Sequence, residues 1–151
     1  MDEIDRKILR LLQQDASLPN QDLAARVGLS PSPCLRRVKA LEATGVIQRY
    51  VALLDGKAVG AGFVAFIEVR LEKQVEAYSS RFEKMVLSRP EVTDCAFVTG
   101  EFDYLLKVAV ADLDEFHRFL TQVLARIEGV SNTRTILPVK QIKATTALKI
   151  V

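Results

Sequence analysis

The sequence predicts an α+β chain with two parts: a small helical unit containing a helix-turn-helix, then a ferredoxin-like βαββαβ unit. Three observations carry that expectation. Apolar residues recur at helical spacing up to about Thr44, the period drops to two at Phe63, and strand-like and helix-like stretches then follow in the order strand, helix, strand, strand, helix, strand. The expected boundaries are 1–50 for the helix-turn-helix unit, 51–62 for a linker strand and turn, and 63–151 for the ferredoxin-like unit.

Asp2 is placed to cap a first helix whose Ile4, Ile8, Leu11 and Leu12 share a side, with Arg6, Lys7 and Arg10 outside and an end near Asp15. After Pro19, Asn20 is the expected N-cap of a helix over Gln21 to Val27, with Leu23, Ala24 and Val27 turned inward. This helix has barely two turns, so packing must hold it together. Gly28 can take the positive φ of a tight turn into a third helix. That helix has two candidate starts. Ser30 caps with Pro31 first, or Ser32 caps with Pro33 first, and the bias of a pre-proline residue away from helical angles slightly favours the second. In either register Leu35, Val38 and Leu41 are expected on one face and Ser32, Arg36, Arg37 and Lys39 elsewhere, with Gly45 ending the helix. Val46 to Asp55 has the β-branched and aromatic content of a strand, and Asp55-Gly56 supplies a turn.

In the second part, Phe63 to Leu71 alternates, but Val64 and Phe66 make both faces of its first half apolar. A strand buried on both sides needs cover on both sides, so a partner subunit is expected over one of them. A helix with Val75, Tyr78, Phe82, Met85 and Val86 on one side should end at Arg89-Pro90. Strands Val92 to Thr99 and Tyr104 to Ala111 follow, joined by a hairpin loop at Gly100-Glu101-Phe102-Asp103. Asp112 to Glu115 has capping-box form for a helix with Leu113, Phe116, Leu120, Val123, Leu124 and Ile127 as its stripe, closed by Gly129. Ser131 to Val139 is β-rich, with Pro138 restricting that end to an edge or bulge, and Ala147 to Ile150 is a candidate short strand.

A net charge of +2 does not argue for nucleic acid by itself, so the placement of the charges matters. From Arg26 to Arg49 the basic residues are Arg26, Arg36, Arg37, Lys39 and Arg49, against one acid, Glu42. Cys34 and Cys95 have no metal-ligand spacing and read as reduced packing residues, while His117 falls on the solvent side of its helix or at its margin. No apolar run approaches the roughly 20 residues that span a bilayer, and no signal stretch is evident, so a soluble cytoplasmic protein is expected.

Four stretches together resemble the Lrp/AsnC (leucine-responsive, feast/famine) transcriptional regulators: Asp2 to Leu9, Val27 to Leu41 with its Gly-Leu-Ser-Pro-Ser-Pro-Cys-Leu-Arg-Arg-Val core, Gly100-Glu101-Phe102-Asp103-Tyr104, and Gly129 to Thr135. The resemblance implies a winged helix-turn-helix and a C-terminal ferredoxin-like, ligand-sensing (RAM) domain that dimerises through its sheet. It implies further assembly into tetramers, octamers or hexadecamers, and an amino-acid effector, with no cofactor or metal. Carried onto this chain, Asn20, Gln21, Ser30, Ser32, Pro33, Arg36, Arg37 and Lys39 are expected to meet double-stranded DNA. Gly100, Asp103 and Tyr104 are expected to contact the effector. Asp103 suits an α-ammonium, the amides near Gly100 suit a carboxylate, and Leu113, Ile136 and Leu137 are candidate apolar lining for a leucine or methionine side chain. A sirohaem-decarboxylase-like enzyme on the same two-domain plan is the alternative. The chain offers it one histidine and no nucleophile-base constellation.

Overall fold

The computed structural model describes residues 1–72 and 75–151 and divides into two units, Met1–Ala52 with Ile142–Val151, and Leu53–Gln141. The first contains α1 (Glu3–Gln14), α2 (Asn20–Val27) and α3 (Pro31–Ala43). α1 starts where its capping residue dictates. The Asp5 N–H donates to Asp2 Oδ1 at 2.9 Å and the Asp2 N–H donates to Asp5 Oδ2 at 3.0 Å. The helical core is Ile8, Leu23, Ala24, Val27, Cys34, Val38 and Leu41.

Three local expectations are corrected here. Asn20 is the first residue of α2 and not its cap, because Pro19, at φ −58°, already sets the entry and its carbonyl accepts the Leu23 N–H at 3.0 Å. α3 begins at Pro31 with Ser30 at the N-cap, although no side chain bonds there. This places Pro33 in the first turn, where a missing N–H costs no helix bond, and that outweighs the pre-proline bias at Ser32. Leu35, expected inward, is 46% exposed, and Cys34 takes the core position instead. At about 100° per residue, positions 34, 38 and 41 stay on one side of α3, whereas 35 and 41 diverge by about 120°. The turn before α3 is as expected, with Gly28 at φ 76° closing α2.

Residues 46–55 form no strand. Their β-favouring side chains have no hydrogen-bonded neighbour strand, and Tyr50, Val51, Leu53 and Leu54 are exposed. Nor is there a strand at Ala147–Ile150, which lies in the segment grouped with the helical unit. There the Gln13 amide serves the backbone in both directions: Nε2 donates to Leu148 O at 3.1 Å, and Oε1 accepts the Leu148 N–H at 2.6 Å. Arg6 Nε donates to Val151 O at 3.1 Å. One side chain is not a ladder, and the segment stays irregular.

The second unit is the expected βαββαβ: β1 (Phe63–Leu71), α4 (Glu76–Leu87), β2 (Val92–Phe97), β3 (Tyr104–Val110), α5 (Leu113–Arg118) and β4 (Val130–Ile136). The sheet order is β2-β3-β1-β4, with every neighbouring pair antiparallel. Ala65, Ile67, Val69 and Leu71 of β1 and Tyr104, Leu106, Val108 and Val110 of β3 form one core with Phe82 and Val86 of α4 and Phe116 of α5. The Asp112 carboxylate accepts the Glu115 N–H at 2.8 Å as the cap of α5. The helix expected to continue to Gly129 changes pitch, to a π turn over Phe119–Val123 and a 3-10 turn over Leu124–Arg126. Phe119 and Leu124 are both buried, and five residues exceed one α-turn, so the wider turn brings both inward.

Candidate functional site

The exposed side of α3 is built from its N-terminal half. Ser32, Arg36 and Lys39 lie within about 60° of one another around the axis, and all three are exposed, as is Ser30 at the cap. Gln21 is exposed and Pro33 half-buried. Asn20 faces the start of α3, where its Nδ2 donates to Pro31 O at 2.9 Å, while its Oδ1 is buried without a hydrogen-bond partner among the described residues. Lys39 Nζ pairs with Glu42 Oε2 at 2.9 Å, and Glu42 Oε1 accepts the Tyr50 hydroxyl at 3.0 Å; these two partners hold the Glu42 carboxyl below its usual range.

Arg37 stands apart. It lies about 100° round from Arg36, and its Nη1 is 2.8 Å from both Asp2 Oδ2 and Asp5 Oδ1, joining α3 to the start of α1. Hydrogen bonds to Asp5 and then Asp2 raise the guanidinium above its ordinary value. The Asp5 N–H, with Arg37 second, lowers the Asp2 carboxyl. Sequence grouped Arg37 with Arg36; the geometry gives it a bracing position between helices.

In the second unit the hairpin loop 98–103 is fastened to the end of β1. The Asp103 N–H donates to Val69 O at 2.9 Å, and the Val98 N–H donates to Asp103 O at 2.8 Å. Beyond the last β1–β3 pair, Val69 with Tyr104, the buried Asp103 Oδ2 accepts the Leu71 N–H at 2.7 Å. On the other face of the sheet Arg70 Nε donates to Glu101 O at 2.8 Å and its Nη2 bonds the same oxygen. The Arg70 and Arg134 guanidiniums sit 5.5 and 4.9 Å from the centre of the Phe102 ring, and Arg134 is paired with Glu68. Sequence reasoning missed Arg70, Phe102 and Arg134; the Arg70 position on the open face of β1 was the available signal.

The other sensor residues are distributed differently. Gly100 is exposed at the loop tip with φ 124°. Tyr104 points to the helix side, packed between Phe82 and Phe97, with its hydroxyl donating to Glu83 Oε1 at 2.7 Å; burial, then Glu83, pushes its phenol far up. Leu113 follows Val110, the partner of Phe63 at the opposite end of β1 from Val69, and lines an open cleft of about 450 Å³ with Lys57 and Asp112. Ile136 pairs with Phe66 in mid-strand, and both it and Leu137 are half exposed. Within one chain the geometry brings Gly100 and Asp103 together, while Leu113 stands about 20 Å along the strand from them. No group of three or more His, Cys, Asp or Glu forms a metal-ligand set among the described residues.

A helix-turn-helix joined to a βαββαβ unit with a fastened hairpin loop defines a two-domain DNA-binding protein class. Comparison with known proteins specifies it further. Residues 1–48 match the winged helix-turn-helix DNA-binding family, and residues 64–148 match the Lrp/AsnC ligand binding domain. The leucine-responsive regulatory proteins of Klebsiella pneumoniae and Escherichia coli (strain K12) are each 40% identical over 150 residues, covering 99% of this chain and 92% of theirs. A transcriptional regulator from Neisseria meningitidis, solved as its L-Met complex, superposes with a TM-score of 0.95 at 40% identity, over 99% of this chain and 96% of that one. An AsnC family transcriptional regulator from Agrobacterium tumefaciens gives 0.93 at 40% identity, over 99% and 97%. A feast or famine regulatory protein from M. tuberculosis, complexed with L-methionine, gives 0.83 at 31% identity, over 97% of each chain. The chain belongs to the Lrp/AsnC family and is a transcriptional regulator, not an enzyme; the decarboxylase alternative is not favoured. No helix among the described residues is long and apolar enough to cross a membrane.

Proposed function

We propose that this regulator binds a specific duplex DNA sequence through the exposed side of α3 and changes that binding when an amino acid with an aliphatic or thioether side chain occupies the hairpin-loop region. The observation that carries the reading is the arrangement on α3: Ser30, Ser32, Arg36 and Lys39 exposed together behind a Gly28 turn, on a helix whose opposite side is fully packed. Arg36 and Lys39 serve phosphates or guanine edges, the serines and first-turn amides serve phosphate, and Gln21 and Asn20 border the same helix start. Arg37 supports the surface from behind. In the second unit Gly100 and Asp103 form the polar end of the effector site, with Tyr104 positioning the loop and Ile136, Leu137 and Leu113 offering apolar lining that more than one copy of the chain must assemble. The methionine complexes of two related regulators support a small amino acid, and leucine or methionine are its leading identities. The working protein is a cytoplasmic homodimer, or a tetramer, octamer or higher assembly built from it.

Thermal shift across the twenty amino acids, run beside a gel-shift titration on a duplex selected from random sequence, tests both halves. A rise in Tm with leucine or methionine and an altered DNA affinity in their presence are expected. No Tm change with any amino acid would remove the effector reading, and no selected duplex would remove the DNA reading.

A further inference from the structure

Leu35 is the apolar residue that the packing of α3 leaves outside. Its neighbour Cys34 is fully buried, whereas Leu35 is 46% exposed. Around the helix axis it lies about 40° from Lys39, about 60° from Ser32 and about 100° from Arg36, at the Lys39 edge of the polar and basic side chains. It is also the fifth residue of α3, in the half that a recognition helix turns toward base edges. An isolated exposed leucine needs no explanation by itself. Here it flanks a lysine and a serine, with an arginine beyond them, that together fit a polyanion, so the occupant of this surface is a nucleic-acid groove. In the major groove of B-DNA the one apolar group a base pair offers is the thymine 5-methyl.

We infer that Leu35 is a specificity-determining residue that reads a thymine by packing against its 5-methyl group, while Arg36 and Lys39 hold the backbone and any guanine edge nearby. This rests on α3 being the DNA-reading helix. Each half-site then contains a thymine whose methyl contributes to affinity with no hydrogen bond made.

The test uses the full chain and a duplex selected by it from random sequence. Each thymine is replaced in turn by deoxyuridine, which deletes only the methyl group, and affinity is measured for the native protein and for Leu35→Ala. The native protein should lose about fourfold at one thymine per half-site, the value of burying one methyl-sized group. Leu35→Ala should bind the unmodified duplex more weakly by at least that factor and show no further loss at the same position. If the native protein is indifferent to every replacement, or Leu35→Ala responds as strongly as the native protein, the assignment is overturned while DNA binding stands. Failure to select any duplex would overturn the underlying reading of α3 as well. A Leu35→Met variant, which keeps the volume and packing character, separates contact from folding: it should retain the deoxyuridine penalty, and losing the penalty with the fold intact would count against the assignment.

Discussion

Neighbouring residues on α3 have divided the work of one basic run. Arg36 and Arg37 look alike in sequence, yet one is exposed and the other joins Asp2 and Asp5. Arg36→Ala should weaken DNA binding and lower the slope of log affinity against log salt by about one, with the melting temperature unchanged. Arg37→Ala should do the reverse: its salt slope stays, while thermal unfolding of the helical unit comes earlier. That second effect has a pH signature. The Asp2 carboxyl is lowered in the fold from its ordinary 3.8, so its stabilising contribution is present above that pH and is lost as the pH falls through the lower folded value. The gap in Tm between native protein and Arg37→Ala should therefore hold near neutrality and narrow progressively as the pH falls below 3.8 through the lower folded value; a gap that does not narrow at all over an acid titration would contradict the brace. What was legible at this scale was the residue type. Which side of the helix each arginine takes depended on Cys34, and not the expected Leu35, filling the core position.

Periodicity located the elements well wherever a pattern had a packed neighbour to enforce it. Phe63–Leu71 alternates because one side meets α4 and α5, and it is the strand that was expected. Val46 to Asp55 has similar composition and no paired strand beside it, and it stays irregular. Gly129, expected to close the helix, lies in the turn beyond it, past the extended Ile127: its φ is 96°, and a Cβ there would lie 2.4 Å from the Tyr78 ring, a close approach of distant segments that spacing cannot reveal. The hairpin loop shows the same limit. Asp103 reads as a turn residue or an ammonium partner, and the structure adds that its carboxylate accepts the Leu71 N–H. Two substitutions separate those roles. Asp103→Ala leaves the Leu71 N–H without that acceptor and should cost about 1–3 kcal/mol in chemical unfolding. Asp103→Asn keeps an oxygen for Leu71 and loses the charge, so stability should largely return while amino-acid affinity, read by calorimetry, falls at least tenfold. Unchanged affinity in Asp103→Asn would make the residue purely structural and move the ammonium contact elsewhere on the loop.

At the scale of the molecule, the sheet of the second unit has a side that its own helices do not cover. By alternation from the buried residues, that side presents Val64, Phe66, Glu68 and Arg70 of β1, Leu105, Lys107 and Ala109 of β3, and Ile136 and Arg134 of β4. Phe66 stands between Ile136 and Lys107, Val64 lies beside Ala109, and the Glu68–Arg134 pair lies toward the hairpin loop. Phe66, Ile136, Val64, Leu105 and Ala109 give this side an apolar content that suits a subunit contact, with Lys107, Glu68, Arg70 and Arg134 as its charges. A second copy of the same sheet is the occupant that needs no further component, because a two-fold axis presents each residue to its own equivalent surface. Symmetry also sharpens the test. Phe66→Glu removes an aromatic from both halves of the contact and inserts two carboxylates, and each lost side chain is worth about 1.5–3 kcal/mol, so dissociation should strengthen by at least about a hundredfold. Sedimentation over a micromolar concentration series should show the native chain as a dimer or larger and Phe66→Glu moving toward monomer, with circular dichroism unchanged because the substituted face lies outside the helix-packed core. DNA binding should weaken in step, since a monomer offers one copy of α3 where the dimer offers two. A Phe66→Glu protein that sediments as the native assembly does would place the subunit contact elsewhere and leave this face for a different partner.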